Sequence, residues 1–80
     1  MKSRVGRFYI PRRDVMEQRQ AVKTIMKQMV IVYAQADFMR DCIEYQAFSE
    51  LFEEVDHGCV IPEYELAMDE NLAVYSMRVR

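Results

Sequence analysis

His57 and Cys59 stand two residues apart, and they are the pair in this chain that most resembles a base beside a nucleophile. Nucleophilic catalysis needs that base within hydrogen-bond reach and a third group to orient it. Here Asp56, His57 and Gly58 have the composition of a polar turn, which reads as a solvated histidine. Cys42, His57, Cys59 and a carboxylate could fill a tetrahedral zinc site, but 16 residues separate the cysteines. The paired short spacings of zinc modules are missing. Glu53/Glu54 and Asp69/Glu70 are adjacent carboxylates, and adjacent side chains diverge to different faces rather than forming an acid–base dyad. Gly6 and Gly58 are the only glycines, too few for a phosphate-cradling loop. The sequence therefore reads as a non-enzyme with no catalytic residue, no metal and no cofactor. In a reducing cytosol the two cysteines are expected as free thiols.

Charge carries more information than any of these groups. Up to Met29 there are eight basic residues and two acidic ones, a net of +6. From Val30 to Met77 the sole base, Arg40, faces eleven acids, a net of −10; Arg78 and Arg80 bring the chain to −2. Such sorting can attract partners of either sign. Glu44, Glu50, Glu53, Glu54 and Asp56, with Phe48, Phe52 and Tyr64 as anchors, would make an acidic, aromatic patch for a basic protein surface. The second reading is nucleic-acid binding by Arg4, Arg7, Arg12, Arg13, Arg19 and Lys23, with Phe8 and Tyr9 free to stack on bases. An acidic excess nearby would repel the phosphates, which places this reading second.

The elements that must position these residues follow from periodicity. Residues 5–10 suit a strand, ended by Pro11. Asp14 and Glu17 have the spacing of a capping box. Behind them Val15, Arg19, Val22, Ile25, Met26 and Met29 share one face of a helix over 15–28, with Gln18, Gln20, Lys23, Lys27 and Gln28 opposite. The period then changes to two. Residues 30–38 and 42–47 read as a β-hairpin around 39–41. A rough helical stripe through Ala34, Phe38, Tyr45, Ser49 and Phe52 is the alternative, giving a helical hairpin with short C-terminal strands. Residues 48–55 have no clear period. Turns at 56–58 and 69–71 bracket a strand over 61–68, and the last strand covers 73–80. The expected fold is α+β: a single amphipathic helix packed on a mainly antiparallel sheet, in the order β-α-β-β-β-β, as one domain over 1–80.

A chain of 80 residues buries only about 60% of its unfolded surface, so a homodimer or another partner would stabilise it. No run of apolar residues approaches a membrane span and no signal peptide is evident, so the expected location is the cytoplasm, with no membrane contact. The stretch Phe48-Ser49-Glu50-Leu51-Phe52-Glu53-Glu54-Val55, with Gly58 and Ile61-Pro62-Glu63-Tyr64-Glu65, resembles the tail of small uncharacterised accessory proteins of phages and prophages. The resemblance covers under half of the chain and carries over no functional residue. It implies a protein that binds and inhibits or modulates a host protein in the host cytoplasm. The functional expectation is a protein-interaction module, with nucleic-acid binding as the alternative.

Overall fold

The computed structural model of the chain describes residues 2–17, 19–71 and 73–79. Its elements are β1 (Lys2–Pro11), α1 (Arg12–Met16), α2 (Gln20–Met26), β2 (Val30–Asp37), β3 (Cys42–Phe48), β4 (Glu54–Asp56), β5 (Tyr64–Met68) and β6 (Val74–Arg78). The class is α+β, with antiparallel pairing between all the named strands. Gln18 and Arg80, assigned by spacing to the helix and the last strand, lie outside the described residues.

The expected single helix is two short ones. Arg19 explains the break: its backbone is extended, at φ −58° and ψ 144°. Its guanidinium meets Asp14 at 2.9 Å and Glu17 at 2.8 Å. One cation thus occupies both carboxylates of the anticipated capping box, and α1 starts behind Pro11 with no side-chain cap. Arg19 is exposed rather than part of the apolar face. Helices this short do not hold themselves in water. They persist because Val15, Val22, Met26 and Met29 lie against the core.

The single expected sheet is also two. The larger has the order β2-β3-β1-β4, and β5-β6 is a separate ribbon. β4, drawn from the stretch without a clear period, pairs Lys2 with Asp56 and Arg4 with Glu54. Further along β1, the Arg7 N–H donates to the Pro62 carbonyl at 2.8 Å, and one parallel bridge joins Arg7 to Glu63. Pro62 has no N–H with which to extend that ladder, so the ribbon hangs from β1 instead of continuing the sheet.

The helical alternative for 30–47 gives way to a β2–β3 hairpin, with a bulge between Ile31 and Tyr33. Asp37 Oδ1 accepts from the N–H groups of Met39 and Arg40, an aspartate turn that stands in for the favoured glycine. Asp41 completes the loop at φ 53°.

The core is Phe8, Ile10, Ala47, Phe52 and Tyr64. Gly6 and Ala47 face each other across β1 and β3, and their small size leaves a dish in the sheet. The Phe52 ring fills it, so close that a Cβ on Gly6 would lie 2.7 Å from the ring. Tyr64 packs on Phe52 with centroids 4.7 Å apart, and Phe8 stacks on Tyr45 at 5.4 Å.

Candidate interaction surface

The structure divides the expected acidic and aromatic patch. Phe52 is 1% exposed and Tyr64 3%, so neither is an anchor for a partner; both are core. The Tyr64 hydroxyl instead accepts the Glu53 N–H at 2.9 Å, fixing the chain just before β4. Glu44 is half-buried on β3 and accepts from the Tyr9 hydroxyl at 3.2 Å. Burial first, and that hydrogen bond second, raise the Tyr9 pKa above its usual value. Phe48 is 43% exposed. Glu50, Glu53, Glu54 and Asp56 are all exposed, and the last two lie on β4, an edge strand of the larger sheet. Two of them are already paired, Glu53 with Arg78 at 2.9 Å and Glu54 with Arg4 at 3.9 Å.

The basic third is dispersed in the same way. Arg4, Arg7, Arg12 and Arg19 each pair with a carboxylate, at 3.9 Å to Glu54, 3.8 Å to Glu63, 2.7 Å to Asp41 and 2.9 Å to Asp14. Arg13 and Lys23 are exposed in the last turns of α1 and α2. Phe8 is fully buried, so it cannot stack on a base. Among the described residues four of the six proposed phosphate contacts are therefore engaged with carboxylates, and a phosphate there would have to displace an ion pair.

His57 has a partner that spacing could not reveal. Its Nε2 lies 2.8 Å from the Ser3 hydroxyl, 54 residues away. The β1–β4 register creates this contact by setting Ser3 opposite Val55. Ser3, His57 and Cys59 border a shallow pocket of about 270 Å³ with an apolar floor of Val5, Val32 and Phe48. Among the described residues no carboxylate bonds to the imidazole to hold it for catalysis. Cys42 is buried and Cys59 exposed, both as free thiols. Burial, then the charge of Asp37, raises the Cys42 pKa, with Arg40 opposing. No cluster of three His, Cys, Asp or Glu side chains able to hold a metal occurs among the described residues.

The surface that sequence reasoning missed is β2. Among the described residues it is an edge strand, paired on one side, to β3. Every residue from Val30 to Ala36 is exposed, and the next loop adds Phe38 at 87% and Met39 at 96%. Soluble proteins ordinarily blunt such an edge with lysine or proline. This one has no charge before Asp37 and no proline, only the bulge at Val32. A groove of about 310 Å³, lined by Gln35, Ala36, Asp37, Phe38, Met39 and Glu44, borders its C-terminal half. The alternating Val30–Phe38 pattern was the available signal. It specifies a strand but not its place in the sheet, and a central strand would have hidden the same residues.

Among the described residues, no helix is long and apolar enough to cross a membrane. No family model, curated protein or solved structure matches the chain.

Proposed function

We propose that the protein is a non-enzymatic interaction module that seats an extended strand of another protein chain on the free edge of β2. The observation that carries this reading is the exposed, apolar, one-sided β2 strand with Phe38 and Met39 at its end. Strand addition satisfies the idle backbone groups of an edge and buries alternate side chains together. The acidic segment that ends in β4 lies at the opposite edge of the same sheet. It suits a basic protein surface, for which a host factor is the class implied by the resemblance to phage accessory proteins. Its charges govern the rate and salt dependence of association more than affinity.

The test compares two variants in protein-association assays with purified protein and with host lysate. Val32→Lys with Phe38→Lys places cations on the apolar edge and should abolish strand-mediated association. Glu50→Lys with Glu54→Lys should slow association without removing β2-dependent binding. Association that survives the β2 variant and disappears in the acidic one would overturn the assignment to β2.

A further inference from the structure

Resting on the β2 reading, we infer that the strand seated on this edge is β2 of a second copy of the same chain, related by a two-fold axis through Gln35. An axis perpendicular to the sheet makes the two β2 strands antiparallel and joins the sheets edge to edge. Each residue then faces a residue on the same side of the sheet, so one residue must face its own copy. The bulge at Val32 restricts regular pairing to the stretch Tyr33 to Asp37, whose partners on β3 run without interruption. Gln35 is its midpoint.

That register is chemically self-consistent. Gln35 faces Gln35 of the other copy, and a primary amide carries both a donor and an acceptor. Ala34 faces Ala36, so the backbones approach without obstruction. Tyr33, whose hydroxyl donates to Gln35 within its own strand, faces Asp37, and the two Asp37 side chains stand at opposite ends of the seam. The groove beside Asp37, Phe38 and Met39 lies where the other copy's Tyr33 and Val32 arrive. Phe38 covers Val32, apolar against apolar.

The exposed area points the same way. Taken as side-chain area, Val30, Ile31, Val32, Tyr33, Phe38 and Met39 expose roughly 550–600 Å² over the two faces of the edge and its loop. That is the top of the range for a monomer's largest patch, about 300–600 Å², and the open backbone edge adds to it toward the share of about 800 Å² that a standard interface takes from each partner. A heterologous strand would need to match this edge by design, while the second copy already does. The assembled sheet would have eight strands and leave both acidic β4 edges at its ends, open to another partner.

Single cysteines decide the register in the full-length chain carrying Cys42→Ala and Cys59→Ser, with circular dichroism confirming the fold. Gln35→Cys should form a disulfide-linked dimer under mild oxidation, because directly opposed Cα atoms lie about 4.5–5.5 Å apart. Ala34→Cys should stay uncrosslinked, because its own copy lies on the diagonal, beyond about 7 Å. Sedimentation equilibrium of the unmodified chain should show a dimer, and Val32→Lys with Phe38→Lys should weaken it at least 100-fold. Crosslinking at position 34 but not 35, or a monomer at every concentration up to the millimolar range, would overturn the pairing. The wider β2 reading is judged separately, because a monomer whose host association still vanishes in the Lys/Lys variant retains it and one whose association survives loses it.

Discussion

Substituting Gly6 by alanine puts one methyl group against the Phe52 ring. The new Cβ would lie 2.7–2.8 Å from three carbons of the Phe52 ring. Carbon atoms pack at about 3.5–4.0 Å, so ring and strand must separate by about 0.7–1.3 Å. Phe52 has little room to yield, since Tyr64 packs against it at 4.7 Å and it is 1% exposed. Overfilling a tight core site costs about 1–3 kcal/mol, and a clash with a wedged ring belongs at the upper end, about 2–3 kcal/mol. A chain of this length has about 4–12 kcal/mol of stability in all. The melting temperature should therefore fall by about 10–20 °C. Urea denaturation followed by circular dichroism, at fixed protein concentration, measures the loss. A double-mutant cycle assigns it: in a Phe52→Leu background, which removes the ring, Gly6→Ala should cost less than about 1 kcal/mol. A loss below about 0.5 kcal/mol for Gly6→Ala alone, or strict additivity with Phe52→Leu, would refute the wedge.

Three further outcomes are expected. Tyr64→Phe removes the acceptor of the Glu53 N–H and should cost about 1 kcal/mol in the same urea assay, with little change in the denaturant slope. Because the Cys42 pKa is raised, its reactive thiolate is suppressed where an ordinary thiol is half ionised, at about pH 8.5. A disulfide-exchange reagent at that pH should label one thiol per chain rapidly, at Cys59, and the second only on unfolding; two fast thiols would contradict this. Arg12→Ala breaks an exposed pair with Asp41 and should cost less than about 1 kcal/mol, an effect that added salt reduces further. A loss of several kcal/mol would mean the pair holds the α1 start in place.

The parts of the fold legible in the sequence were those written in local chemistry. The change of period after Met29 predicts the hairpin, and the turns expected around 39–41, 56–58 and 69–71 have counterparts in the structure. Arg19 shows where local reading stops. At helical spacing it extends an apolar face, yet its two ion pairs end one helix and begin another. Phe52 and Tyr64 failed as surface anchors because they lie among glutamates, and only their docking onto Gly6 and Phe8 decides that they are buried. Ser3 and His57 carry no mark of each other, since their contact depends on strand register. The candidate site suffered the same gap. The composition of β2 was visible as a strand, but its exposure follows from the order β2-β3-β1-β4, a property of the whole chain.

That strand order also sets a timetable for folding. β1 is the first strand made, yet both of its neighbours in the sheet come late: Val5 waits for Phe48, and Lys2 for Asp56. The β2–β3 hairpin closes over a short loop and can form within microseconds once synthesised. At about 5–20 residues per second, β1 spends roughly 3–10 s without its β4 partner. Phe8 and Ile10, destined for the core, are uncovered for most of that time. Non-local pairing of this kind slows folding relative to helical chains of equal length. β1 therefore stays unpaired until β3 has been made, and its short pairing with β4 can only follow.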